Sequence, residues 1–163
     1  MMKCRVLALV LAWGLWGASL PGRADVPELM IDVGDQGLET NLGFGWGRLE
    51  WDGQRSFSWI RRLEGDVWFD LAEAGPADFE LSAVPYFTPH RIQRIGLYVN
   101  GTFVAEWDCP HANEWSFEVY RAQIPEGLLV KGRNRITLRM GYTAGEQGRQ
   151  YSIAVDYVKL DVR

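Results

Sequence analysis

Only two histidines, His90 and His111, occur in the 163-residue sequence. A nucleophile, a base and an orienting group must meet in space for covalent hydrolysis, and no such set assembles around either one. Cys109 and His111, within Asp108-Cys109-Pro110-His111, are both metal-ligand types, but two ligands do not make a zinc site. His90 and His111 read as surface-loop residues. Carboxylates are plentiful, and two facing each other across a groove could hydrolyse a glycosidic bond. Glu50, Glu106 and Glu118 are the strand candidates, and each reads first as a solvated strand position or an ion-pair partner. Asp32 and Asp35 offer oxygens to a structural Ca2+, which needs six or more; no D-x-D-x-D loop surrounds them, and no other cofactor is expected.

Aromatic residues are the most informative excess. Six tryptophans, Trp46, Trp51, Trp59, Trp68, Trp107 and Trp115, lie beyond the N-terminal apolar run. The C–H faces of a sugar ring stack on aromatic planes while polar side chains at the rim take its hydroxyls, yet buried rings serve a core equally well. Trp59, Trp115, Phe69, Phe79, Phe103 and Phe117 fall on the inward parity of their strands and are expected in the core. Trp51 beside Asp52-Gly53, Trp68 among aspartates, and Tyr142 in the Gly141 to Gln150 loop are the exposed candidates for ligand contact.

The elements that position them are strands. Ile95, Leu97 and Val99 alternate with Gly96 and Tyr98, and Thr102 to Trp107 runs back after Asn100-Gly101. That pair tolerates the positive φ of a type I′ turn. The turn also accounts for Asn100-Gly101-Thr102, which otherwise matches a glycosylation acceptor. Leu29-Met30-Ile31 forms a first short strand, and two more flank Asp52-Gly53. Further alternating runs centre on Phe69, Leu81, Phe117 and Leu138. The final run is apolar on Tyr151, Ile153 and Val155, then on Val158 and Leu160, a change of parity that a β-bulge produces. Ala122 to Leu129 is the one helical candidate, and Pro125 and Gly127 limit it to a turn. Seven or eight short strands with polar outer faces specify an all-β, two-layer antiparallel sandwich.

The first 24 residues are a basic start, an apolar run of about 15 residues and small residues at a cut, the pattern of a secretory signal peptide. The run is shorter than the roughly 20 residues of a spanning helix, so cleavage before Asp25 is expected and no membrane insertion after it. Residues 25–163 then form a single sandwich domain. Loss of Lys3, Arg5 and Arg23 makes an already acidic chain, of formal charge −4, more so, which argues against nucleic acid and anionic membranes. Only Cys109 remains, so the exported domain holds no internal disulfide. That points to a bacterial periplasm or cell surface.

Gly45-Trp46, Glu50, Gly53 and Trp59 form G-W-x(3)-E-x(2)-G-x(5)-W. Val99-Asn100-Gly101, Ile124-Pro125, Gly132-x-Asn134-x-Ile136-x-Leu138 and Arg149 before YSIAVDYVKL follow in order. Over about Gly43 to Leu160 this resembles the galactose-binding-like jelly-roll domains of bacterial secreted and envelope proteins, including those appended to glycan-handling enzymes. The resemblance implies a jelly roll whose first and last strands meet, with Glu50 pairing Arg149 near a ligand. Gln147 stands where the family has an Asp two residues before the Arg. The functional expectation is a non-catalytic, exported, carbohydrate-binding module for an envelope or extracellular polysaccharide, with Trp51, Trp68, Tyr142, Glu50 and Arg149 at the site. An adaptor that docks on an envelope protein is the alternative, and a carboxylate-dependent polysaccharide-cleaving enzyme is the second.

Overall fold

A computed structural model describes residues 28–34, 38–109, 115–145 and 148–163. The expected signal peptide, Asp35, His111 and Gln147 lie outside these residues. Among the described residues ten strands follow in chain order: β1 Leu29–Asp32, β2 Trp46–Trp51, β3 Ser56–Ile60, β4 Glu64–Leu71, β5 Ala77–Pro85, β6 Gln93–Val99, β7 Thr102–Cys109, β8 Glu118–Ile124, β9 Gly132–Met140 and β10 Ile153–Val162. A 3-10 turn covers Leu38–Asn41. Every strand pairing is antiparallel. The larger sheet runs β2-β3-β10-β5-β8 with β1 also on β10, and the smaller runs β4-β9-β6-β7. This is the expected two-layer sandwich. The helical candidate at Ala122 to Leu129 is the end of β8 and a turn, as Pro125 and Gly127 require.

The core lies between the sheets. Phe79, Leu81 and Ala83 from β5, and Ile153, Val155, Val158 and Leu160 from β10, meet Val67, Phe69, Ile95, Leu97, Ile136 and Leu138 from the smaller sheet. The change of parity in the last strand is real. Val155 pairs with Ala83 and Tyr157 with Ser82, so Asp156 is the extra residue and Val158 returns to the inner face. The bulge also divides one edge of β10 between two partners, β3 before it and β1 after it.

Two parity expectations fail. In β7, Leu97 pairs with Ala105 and Tyr98 with Phe103, so Val104 is an extra residue. That bulge turns Phe103 outward, 53% exposed, while Trp107 keeps its place against the core. In β8 the inward residues are Tyr120, Ala122 and Ile124, and Trp115 and Phe117 precede the strand. Trp115 is accordingly not a core residue.

Turn chemistry follows the sequence. Asn100 and Gly101 hold φ of 49° and 88°, the left-handed pair of a type I′ turn. Asn134, fully buried, locks this hairpin to the connection between β8 and β9. Its Oδ1 accepts from Asn100 Nδ2 and Val130 N, both at 2.9 Å, and its Nδ2 donates to Val130 O at 2.7 Å and Gly132 O at 2.8 Å. Removing that amide leaves several buried groups without partners. Asn134→Ala is expected to cost about 3 kcal/mol of folding free energy, read by urea denaturation.

Candidate functional site

The outer face of the larger sheet carries a second aromatic cluster, separate from the core. Phe57 and Trp59 project from β3 on the side opposite Ile60 and are buried there with Val84 and Ala154; Tyr86, Phe117 and Tyr151 pack around them. β3 and β8 are separated by β10 and β5, about three strand spacings of ~4.8 Å. Residues 115–117, just before β8, reach back toward β3 with their side chains as a strap. Trp115 ends 5.2 Å from Phe57, 5.7 Å from Trp59 and 5.4 Å from Phe117, ring centre to ring centre, all at tilted or edge geometry. Tyr86 and Tyr151 stack at 5.4 Å beside Trp59. Trp59 is buried as expected, though on this outer face. Trp115 is 47% exposed.

Polar groups ring the cluster. Asp52, in the β2–β3 turn, accepts the Trp115 indole N–H at 2.9 Å. The indole first, then the backbone N–H groups of Arg55 and Gln54, hold the Asp52 carboxyl below the usual aspartate range. Arg55 sits 4.8 Å over Phe117 and pairs with Asp156 at 3.1 Å, to which Ser82 also donates at 3.1 Å. Arg61 lies 5.4 Å over Tyr151 and 3.7 Å from Glu50, and its buried Nε has no partner among the described residues. Cations over aromatic faces favour the ring quadrupole and leave N–H donors at the rim. Hydroxyl-bearing rings are what such a surface can take: a broad apolar platform with separate donors and acceptors at its edge.

The expected site residues scatter. Trp51 is the most exposed tryptophan among the described residues at 66%, but it pairs across from Ser56 and so projects from the face of the hairpin opposite Phe57. Trp68 is on the outer face of the smaller sheet. Its ring is occupied by Arg133 at 4.8 Å and Arg135 at 5.5 Å, and its open position is lost to those two side chains. Tyr142 is buried at 5% exposure, with its hydroxyl donating to Arg91 O and Arg91 stacked 4.1 Å over its ring. Its loop is drawn inward by buried Gln93, which bonds the backbone at Gly141, Tyr142 and Ser152. Glu50 pairs with Arg61 rather than Arg149, because Arg61 leaves the adjacent strand β3 within reach, and Arg149 makes no ion pair among the described residues.

The candidate catalytic carboxylates do not converge. Glu50 and Glu118 are on the larger sheet, whereas Glu106 is on the smaller, 3.4 Å from Arg94. No group of three or more metal-ligating side chains occurs among the described residues. A shallow depression of about 570 Å³ lies farther along the same outer face, lined by residues including Glu80, Arg121, Gln123 and Lys159. Its charges are engaged with one another, as in Arg121–Glu80 at 2.8 Å, and with Glu28, 2.9 Å from Lys159.

The Asp52–Trp115 contact, Arg55 and the strap were missed by parity. Asp52-Gly53 was visible as a turn, and an Asx residue there predicts side-chain bonds to its own backbone. Nothing local says which ring it will meet.

With these features in view, the chain folds as a two-layer β-sandwich of jelly-roll type. No protein-family model matches its sequence, and no curated protein does either. Solved carbohydrate-binding modules share the fold. A mannanase of Podospora anserina with an attached family 35 module matches at 14% identity and TM-score 0.56, over 85% of this chain and 28% of the longer enzyme. The C-terminal family 6 module of a laminarinase from Zobellia galactanivorans matches at 10% identity and 0.55, over 83% of this chain and 99% of its own. A family 35 module of Clostridium thermocellum matches at 12% and 0.55, over 84% and 99%.

Cys109 belongs to the packing. It is fully buried, and desolvation pushes its thiol up to about 11, with Tyr120 beside it also raised, chiefly by burial. A raised pKa means that the neutral thiol stabilises the fold fully below its ordinary value of 9.0, and that this contribution is lost as pH rises toward about 11. The melting temperature is expected to fall across that window, and Cys109→Ala to remove part of the slope. Native protein at neutral pH should react with a thiol reagent only after denaturant is added, which a colorimetric thiol assay reads.

Proposed function

We propose that this protein is a non-catalytic carbohydrate-binding module, exported, that holds a polysaccharide of the cell envelope or extracellular space on the outer aromatic face of its larger sheet. One observation carries this reading. Trp115 is half exposed above a bed of Phe57, Trp59 and Phe117, with a polar rim of Asp52, Arg55, Arg61 and Glu50. A bare apolar platform would suit many partners. An apolar platform with separated donors and acceptors at its margin suits a ring with two apolar faces and an equator of hydroxyls.

The fold it shares with the carbohydrate-binding modules supports the reading by analogy, which speaks to architecture more than to ligand. Export rests on the character of residues 1–24, and no helix among the described residues is long and apolar enough to cross a membrane. A neutral or weakly charged glycan fits better than a polyanion. The chain is acidic overall, and Arg55 and Arg61 each already face a carboxylate. Trp51 at the far side of the same hairpin can touch a longer polymer at the sheet edge. Trp68 and Tyr142, engaged and buried, are left out of the contact surface.

Calorimetric titration against gluco-, manno- and xylo-oligosaccharides, with an oligogalacturonate as the anionic member, tests this. Trp115→Ala is expected to weaken binding at least tenfold while shifting the melting temperature little, because the side chain is half exposed. Trp59→Ala, by contrast, should cost about 3–5 kcal/mol of folding. An intact, folded protein that binds no member of the panel would overturn the carbohydrate reading and favour an envelope-protein partner.

A further inference from the structure

The β2–β3 turn holds both aromatic residues of the strap, through two different interactions. Asp52 Oδ2 accepts the Trp115 indole N–H at 2.9 Å, and Arg55 lies 4.8 Å over Phe117. The turn is itself fixed. Asp52 Oδ1 accepts from the N–H groups of Gln54 at 2.8 Å and Arg55 at 2.9 Å, and Asp52 N donates to Arg55 O at 3.2 Å. Arg55 is anchored in turn on Asp156 in β10. One carboxylate therefore has one oxygen on its own turn and the other on a ring 63 residues later.

From this arrangement we infer that Asp52 is a positioning residue, which sets the orientation of Trp115 before a ligand arrives. The inference rests on the reading of Trp115 as the stacking ring of a glycan site. A half-exposed indole on a short strap can turn about its side-chain torsions. Its three aromatic neighbours touch it at tilted or edge geometry, and none stacks flat to fix its plane. Among the described residues, the directional contact of the indole is the hydrogen bond to Asp52. Because that carboxylate is oriented by two backbone N–H groups, it supplies a fixed point rather than a mobile acceptor. Ordering the ring in the free protein removes a cost that binding would otherwise bear.

Asp52→Asn separates this role from the turn. The amide oxygen still accepts from Gln54 and Arg55, as Asn does in such turns, but the indole then faces an NH2 group instead of an acceptor. Trp115→Phe keeps a ring and removes the indole donor. The test measures oligosaccharide affinity of wild type, both single variants and the double variant against the panel above. It also follows the Trp115 Nε1–H resonance of unliganded protein, assigned by its absence in Trp115→Phe.

Asp52→Asn is expected to weaken binding roughly threefold to tenfold with the melting temperature unchanged, the scale of one side chain left to be ordered on binding. The Trp115 indole resonance should shift and its hydrogen exchange quicken. The double variant should bind no more weakly than the weaker single variant, because both changes break one interaction. Additive losses would overturn the proposal, as would an Asp52→Asn variant with wild-type affinity, and either result would leave glycan binding intact. If wild-type protein binds no oligosaccharide, the carbohydrate reading falls. The indole resonance then decides alone: unchanged in Asp52→Asn, it overturns positioning, and shifted with fast exchange, it supports it.

Discussion

At Asp156 the longest strand takes in one residue too many, and the larger sheet depends on that irregularity. Without it, β10 would present the wrong face to the core along half its length, since a one-residue slip exchanges inside for outside. With it, Ile153 and Val155 before the bulge and Val158 and Leu160 after it all reach the same core. The bulged residue is held by its surroundings. Its carbonyl accepts the N–H of Val33, and its carboxylate takes Ser82 and Arg55. A defect in the hydrogen-bond ladder thereby becomes a junction of four segments: β10, β5, the end of β1 and the β2–β3 turn.

That junction connects the fold to the proposed binding face. Arg55 reaches Asp156 with its guanidinium group while covering Phe117, and Asp52, three residues earlier, reaches Trp115. The aromatic face is thus built on a turn, but a turn tied to the central strand. Loops placed on a rigid frame are where binding residues concentrate. The smaller sheet shows the contrasting use of the same residue types. There, Trp68 and Tyr98 are covered by Arg133, Arg135 and Arg139, and Arg135 and Arg139 meet Asp66 and Glu64. Rings on that face are spent on a neutralised surface. Rings on the other are partly left open.

Much of the frame was legible because its signals are local. Alternation located the strands, Asn100-Gly101 fixed a hairpin, and the change of parity between Val155 and Val158 exposed the bulge in β10. The comparable bulge at Val104 was invisible: Phe103, Ala105 and Trp107 keep an unbroken alternation, and only the pairing register shows the extra residue. Trp115 failed for another reason. Alternation extended through Trp115, Phe117 and Val119, but those residues belong to a strap and to the outer side of β8, where period two carries no information about the core. Tyr142 looked exposed since its loop is rich in glycine and polar residues. Its burial comes from Gln93, a residue 49 positions earlier whose amide gathers the loop backbone. The candidate site is a set of such distant meetings, Asp52 with Trp115 and Arg55 with Asp156, and no spacing in the sequence records them.

β10 also follows every other strand of the sandwich in chain order, although it lies between β3, β1 and β5. A growing chain therefore presents its central member after its neighbours. Until that stretch emerges, β3 and β5 lack their shared partner and Phe57, Trp59 and Val84 lack Ala154. Closing the sheet requires contacts between residues a hundred or more positions apart, as for Arg55 and Asp156, which differ by 101. Long loops must close before such contacts form, so folding is slow compared with that of a chain dominated by local pairings. A domain that completes its sheet with its last strand keeps the flanking strands' edges open until that strand has been made.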